Sequence, residues 1–285
     1  MADGAMADKA TANKATADKA TTDKAAEGVA LRRCQPWLGT LVEITAQANA
    51  QIISTHAAIT QAFAVIASEH ARFTRFDTRS ELSQINQNAL NATVVISPEM
   101  HAVLSAAVNI ATLSHGAFDP TGGAQAFDAI QLGSESVRFL RPLQLDLNGI
   151  AKGFAVDLAI NTLQSLGCVA GVVNAGGDLR CFGSPIQLHL RCPRTGGLLN
   201  ESFTLTNAAC ASSGGRLHWR KSAKDRALRP TLMGKHGRMR QLRSMTVVCS
   251  DAMTADALTK VALFAGIKAA DVLAQFGAQA HELRA

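Results

Sequence analysis

Residues 143–183 read LQLDLNGIAKGFAVDLAINTLQSLGCVAGVVNAGGDLRCFG, and this stretch decides the fold class. Residues 150–166 carry apolar side chains at helical spacing and stop at Gly167. The segment CVAGVVNAGGDLRCFG that follows is a strand with a double-glycine turn. Upstream, VRFLRPLQLDL (137–147) has strand character. Four polar residues interrupt this apolar corner: Asp146, Asn148, Lys152 and Asp157.

Working outward, LGTLVEITA alternates as a strand, and residues 51–72 have the spacing of an amphipathic helix. SPEMHAVLSAAVNIATLSHG predicts a helix with Ser97 as N-cap and Gly116 at its stop. QLHLRCP, SFTLT and SMTVVCS predict short strands; TADALTKVALFAG and AADVLAQFG predict helices. Helices and strands alternate irregularly, often with strands as neighbours, which argues for α+β with mixed or antiparallel sheets rather than a doubly wound sheet.

Residues 7–26 repeat a five-residue unit of the type ADKAT. Five residues overrun one helical turn, so the repeat builds no apolar stripe, and it holds nothing larger than Ala to bury. Residues 1–30 therefore read as a disordered tail, and 31–285 as one domain with flanking helices.

At 47% hydrophobic and 18% charged residues, the composition is that of a soluble globular protein. No apolar run is long enough to span a membrane, and the start lacks a secretory layout, so the chain reads as cytoplasmic. The six cysteines form no Cys-x-x-Cys pair and the eight histidines no His-x-x-x-His pair, which argues against a zinc site. Residues 216–243 carry ten Lys or Arg and one acid. With few aromatics and no recognition motif, that cluster reads as a solvated basic loop or one steering an anionic partner.

Four segments pack small residues around an acid, a lysine or hydroxyls: GAFDPTGG (116–123), DLNGIAKG (146–153), NAGGDLRCFG (174–183) and ASSGG (211–215). Glycine lets backbone approach a ligand and presents N–H groups suited to phosphate. No Walker or dinucleotide-binding loop is present, so the pattern by itself reaches a pyrophosphate-sized ligand and acids able to hold Mg²⁺. Asp157 reads as a structural or capping partner, Asp178 as either turn-former or site residue, and Asp251 as a helix starter.

In order and wording, LGT (38–40), FTRFDTRSELSQIN (73–86), GAFDPT, LDLNGIAKGFAVD, VNAGGDLRCFG, ASSGG and ADALTK resemble the FAD:protein FMN transferase (ApbE) family. The resemblance spans about residues 35–268. It implies Mg²⁺-dependent transfer of FMN from FAD to a threonine hydroxyl of an acceptor flavoprotein, with AMP released; some members hydrolyse FAD instead. Leu38 stands at a flavin-contacting methionine, and Phe76 at the aromatic position against the isoalloxazine. Ala117, Phe118 and Asp119 match an FAD-binding run. Asp146 matches an FAD-contacting aspartate and Lys152 a nucleotide-binding lysine. Ser212 and Ser213 keep the hydroxyls of the family's Thr-Ser-Gly turn. The resemblance implies Mg²⁺ on Asp256 and the Gly149 carbonyl, with Lys152 beside the reacting phosphates. Lys260, which the resemblance does not supply, joins Lys152 and Asp256 as the third member of the catalytic group on its position alone.

Two motifs depart from the family pattern in their charged residues. Lys260 stands where the Asp-Ala-x-x-Thr motif has threonine, four residues after Asp256 and on the same helical face. A charged ammonium cannot ligate a cation, so Lys260 either contacts the pyrophosphate itself or leaves Mg²⁺ with fewer protein groups and more water. In RALRP, Arg226 and Arg229 replace the histidine and aspartate of His-x-x-Asp-Pro. FAD pyrophosphatase and non-catalytic FAD-binding protein are the alternatives these departures leave open.

Overall fold

A computed structural model describes residues 30–49, 54–214, 219–221, 228–230, 233–234, 237–238 and 243–284. The expected tail, and Arg226 with most of the basic segment, lie outside the described residues.

The chain opens with the hairpin β1 (Leu31–Trp37) and β2 (Thr40–Ala48), then α1 (Thr55–Phe73), α2 (Glu81–Asn88), β3 (Val94–Val95) and α3 (Pro98–Leu113). Ser54, Ser80 and Ser97 cap the three helices by accepting from Ala57, Ser83 and Met100 N–H groups. Next come β4 (Ile130–Leu132), β5 (Ser136–Phe139), α4 (Ala151–Ser165), β6 (Cys168–Ala175) and β7 (Asp178–Phe182). The hairpin β8 (Ile186–Arg191) and β9 (Leu198–Leu205) precedes β10 (Ala209–Gly214). The pairs β11 (Trp219–Lys221) with β12 (Leu228–Pro230) and β13 (Met233–Gly234) with β14 (Gly237–Arg238) follow. The chain closes with β15 (Arg243–Cys249), α5 (Ala252–Phe264), α6 (Ala269–Gln275) and β16 (Gln279–Arg284).

One seven-stranded sheet, ordered β1-β2-β6-β7-β10-β15-β16, organises the whole. Every neighbouring pair in it is antiparallel, as expected for an α+β fold. Period-two alternation gives each strand a helix-facing side. On β2 that side is Val42, Ile44, Ala46 and Ala48, all buried against α1 and α4. The opposite face carries Leu179, Cys181 and Cys210, covered by Leu205, Phe203 and Leu188 of the β8–β9 hairpin. A second core joins α2, α3, the small β3-β5-β4 sheet and one side of α4 and α5.

Over residues 151–160 α4 is buried nearly all round because it lies between the two cores, with Ile160 and Leu163 in one and Phe154, with Ile150 just before the helix, in the other. It crosses the start of α5 at Gly153, where a Cβ would stand 2.1 Å from the Ala252 carbonyl oxygen.

Two expectations need correction. The strand expected over 137–147 stops at Phe139, because Pro142 cannot continue a ladder and residues 140–150 bend toward α4. Residues 211–214 of the segment expected as a turn are instead the end of strand β10, paired with β15, while Ala209 and Cys210 at its start also pair with β7. The helix α2 and the strands β1 and β16 were not anticipated.

Among the described residues, no helix is long and apolar enough to cross a membrane. All six cysteines are unpaired.

Candidate active site

Strand alternation decides which side chains meet at the rim of the sheet. On β7 the helix-facing residues are Asp178, Arg180 and Phe182. Asp178 therefore meets Lys152 in the first turn of α4, and Arg180 meets Asp157 one and a half turns further along. Asp256, fully buried in α5, lies on the other side of Lys152, and Lys260 follows one helical turn later.

The resulting cluster is closely bonded. The Lys152 ammonium donates to Asp178 Oδ2 and, at 3.3 Å, to Asp256 Oδ2. The Lys260 ammonium donates to Asp256 Oδ1 and, at 2.8 Å, to the Asp256 backbone carbonyl. Two carboxylates face two ammonium groups, so the cluster is neutral. Burial works against the Lys152 charge, but Asp178 and Asp256 outweigh it and hold that ammonium above the ordinary lysine value. Burial also works against the Asp256 carboxylate, yet Lys152 and Lys260 hold it below the usual range. Asp178 moves the other way, raised by burial and by repulsion from Asp256.

Both carboxylate oxygens of Asp256 and its carbonyl are thus occupied by ammonium N–H donors. Thr259, the adjacent hydroxyl, donates its one proton to the Asp256 carbonyl at 2.7 Å and lies 2.8 Å from Ser213 Oγ, from which it accepts. A Cβ built on Gly149 would lie 3.2 Å from Lys260 Cε and 3.6 Å from its Nζ, so Lys260 fills the space beside the glycine expected to offer a metal its carbonyl. No group of three or more His, Cys, Asp or Glu suited to a metal occurs among the described residues. At an effective dielectric of about 20, one ammonium about 4 Å from a dication repels it by about 8 kcal/mol, which offsets the attraction of a carboxylate at that distance, so the neutral cluster offers a dication no net attraction. The donor set expected to hold Mg²⁺, Asp256 with Gly149, does not fit a divalent cation with Lys260 in place.

The other expected residues divide into two groups. Phe118 is buried with its ring edge 3.3 Å from the Gly149 Cβ position, which brings it beside Lys260. Ala117 is buried in the same loop. Asp119 is taken up by its own loop, accepting from the N–H groups of Thr121, Gly123 and Gln125 at 2.8–3.0 Å, so its carboxylate shapes the turn. Ser213 faces the helices and joins Thr259, whereas Ser212 points to the opposite face and pairs with Thr246 at 2.8 Å. The two hydroxyls therefore do not converge.

Leu38 sits in a two-residue hairpin turn with φ of 55°, followed by Gly39 at 71°. This turn abuts the Gly176–Gly177 turn, where a Gly176 Cβ would stand 2.5 Å from Thr40 Oγ1. Phe76 is 86% exposed, with the Arg75 guanidinium 5.1 Å over its ring. Arg75 also lies 3.9 Å from Asp146, linking the Phe76 loop to the corner that leads into α4.

Two participants were legible only in part. Asp178 was readable as turn-former or site residue; Asn174 holds the turn by accepting from Gly177 N–H at 2.9 Å, which leaves Asp178 for Lys152. Arg75 carried no signal beyond standing next to Phe76.

Asp157 supports the cluster from outside it. Its carboxylate accepts from the Ala252 and Met253 N–H groups at 2.9 and 2.8 Å and from Arg180 at 2.9 Å, while Asp251 caps Thr254 N–H. It thereby anchors the N-terminus of α5, the helix that carries Asp256 and Lys260. Asp157→Asn keeps the shape but turns one acceptor into a donor aimed at an N–H. A loss of about 2 kcal/mol is expected, read as a lowered Tm in thermal melts.

This helix-backed antiparallel sheet, with glycine turns and charged groups gathered at its rim, is the α+β fold of the ApbE proteins. The ApbE protein of Thermotoga maritima superposes with a TM-score of 0.79 at 23% identity, over 90% of this chain and 97% of that one. The apo flavinyl transferase ApbE of Pseudomonas stutzeri gives 0.76 at 16% identity, over 89% and 90%. The ApbE family profile matches residues 38–127 and 123–283, and the chain belongs to that family.

A relative from Haemophilus influenzae named FAD:protein FMN transferase is 27% identical, the match covering 69% of each chain. Another of that name from Treponema pallidum is 24% identical, and the match spans about half its length, 51%, and 53% of this chain.

Proposed function

We propose that this chain is a FAD:protein FMN transferase that moves FMN from FAD to a threonine hydroxyl of an acceptor flavoprotein and releases AMP. The observation that carries the reading is the cluster of Lys152, Asp178, Asp256 and Lys260 beside Gly149. Each ammonium has three N–H donors and uses two on the carboxylates and carbonyl around it, which leaves one on each for a phosphate oxygen.

In this reading the pyrophosphate of FAD lies across the Gly149 corner, and the flavin ring lies against Phe76 near the Leu38 turn. Ala117, Phe118 and Asp119 form one wall, the last by shaping its loop. Asp146 orients the nucleotide through the corner it shares with Arg75, and Ser213 steadies Thr259 behind Asp256.

The acceptor hydroxyl oxygen attacks the FMN-side phosphorus. A new phosphoester bond forms, the bridging P–O bond breaks, and AMP leaves with the bridging oxygen and its electron pair. The hydroxyl proton passes to solvent. Lys152 and Lys260 stabilise the negative charge that grows on the departing phosphate. Mg²⁺ takes no part in this step, because Lys260 occupies the Asp256 oxygens and the space beside Gly149.

The test is incubation of the purified chain with FAD and candidate acceptor flavoproteins, read as covalent flavin fluorescence on a denaturing gel and as released AMP. Both signals together are the expected result. AMP without any acceptor identifies a hydrolase, and FAD binding with neither signal identifies a carrier; each would displace the transferase reading.

A further inference from the structure

We propose that Lys260 supplies this site with its cation covalently, so that the chain engages the FAD pyrophosphate without a divalent metal ion. The inference rests on FAD as the ligand of the site and concerns what neutralises its phosphates.

Three observations carry it. First, the charges already balance: Asp178 and Asp256 are matched by Lys152 and Lys260, leaving no excess negative charge to draw in a dication. Second, every oxygen that Asp256 could offer a metal accepts from an ammonium instead, and that residue is 0% exposed, so it cannot turn toward solvent for another partner. Third, Lys260 lies where its aliphatic stem and ammonium fill the space next to Gly149 and the Phe118 ring edge. Lysine at the i+4 position of α5 reaches back over Asp256 by helix geometry alone. The ammonium differs from a metal ion in kind: it is a single charge with N–H donors, tethered to the helix by its four-carbon stem, and it is present whatever the ionic composition of the medium.

Substitution at Lys260 should exchange one cation for the other. Lys260→Thr removes one positive charge, leaves the cluster with a net charge of −1, and places a hydroxyl oxygen one turn from Asp256. Lys260→Met removes the same charge but adds no ligand.

The metal-stripped full-length chain is titrated with Mn²⁺ alone, followed by the EPR signal of the free ion. Separately it is titrated with FAD in EDTA and in Mg²⁺, followed by flavin fluorescence. The unaltered chain is expected to bind no stoichiometric Mn²⁺ and to give the same FAD curve in both media. Lys260→Thr is expected to bind one Mn²⁺ per chain, to lose FAD affinity by about tenfold in EDTA, and to recover it in Mg²⁺. Lys260→Met is expected to lose affinity similarly and not to recover.

Stoichiometric Mn²⁺ on the unaltered chain, abolished by Asp256→Asn, would overturn the proposal. So would FAD binding that requires Mg²⁺, or a folded Lys260→Thr chain that gains no Mn²⁺. Absence of FAD binding in every medium would instead overturn the flavin reading, and the Mn²⁺ titrations would still judge the role of Lys260. If Lys260→Thr does not fold, the unaltered chain and Lys260→Met decide between the outcomes.

Discussion

Gly153→Ala is expected to destabilise this protein by about 3 kcal/mol or more, although alanine is the better helix former. The opposing terms can be compared directly. Replacing a helix-interior glycine by alanine gains about 1 kcal/mol of propensity. The added Cβ, however, would stand 2.1 Å from the Ala252 carbonyl oxygen, 2.4 Å from its carbonyl carbon and 2.7 Å from Met253 Cα. All three are backbone atoms, so no flexible side chain can swing aside. The start of α5 would have to move away from α4 by an ångström or more, and Ala252 and Met253 are the residues whose N–H groups bond Asp157. The steric cost therefore brings with it a weakened cap and a displaced Asp256. For a chain of this size the loss corresponds to a Tm lower by about 6–12 °C. A Tm at or above that of the parent would show that the helices do not cross here as described.

Much of the fold was legible because its main helices obey one rule. The segments 97–116, 150–166 and the last long helix carry apolar residues at helical spacing between recognisable caps and glycines, and α3, α4 and α5 appear there. The double glycine likewise marked the β6–β7 hairpin. Reading failed where the usual signals are weak. α2 has only eight residues, and its buried apolar side chains are Leu82 and Ile85, too few to show a period. β10 reads ACASSG, with no large side chain to alternate, because it lies between two strands under a closely packed helix. β16 pairs at the sheet edge through HELR-type residues, where the backbone ladder rather than side-chain burial supplies the order.

The candidate site divides in a comparable way. Lys152 and Asp256 are 104 residues apart, and no local pattern links them; the family resemblance marked both, and the fold brings them to 3.3 Å. What residue types could not convey is direction. Ser212 and Ser213 look equivalent in sequence, but neighbours on a strand face opposite ways, so only Ser213 joins the buried network. Asp119 matches a ligand-contacting position, yet its carboxylate is occupied by three backbone N–H groups of its own loop. The most informative departure was a single letter, Lys260. The sequence marked it as incompatible with a metal ligand, and its bonds to both the side chain and the carbonyl of Asp256 give that incompatibility a geometry.

Lys152→Met should lower FMN transfer by about 10²–10³-fold, the loss expected when one donor to a developing phosphate charge is removed from a low-dielectric site. Taken alone, that result would be ambiguous. The substitution also strands Asp178, which is 3% exposed, and breaking a buried ion pair from one side costs about 3–5 kcal/mol. A partly unfolded enzyme would lose activity as well. Adding Asp178→Asn resolves this, because the double variant removes one charge of each sign and leaves the Asp256–Lys260 pair intact. Its Tm should recover most of what Lys152→Met loses, since no buried carboxylate is left without a partner. Transfer should not recover, because the donor aimed at the phosphate is still missing. Coupling in stability without coupling in rate separates the two roles: Asp178 holds Lys152, and Lys152 acts on the substrate. Recovery of transfer along with Tm would mean that Lys152 only maintains the fold, and the charge acting on the phosphate would then fall to Lys260 alone.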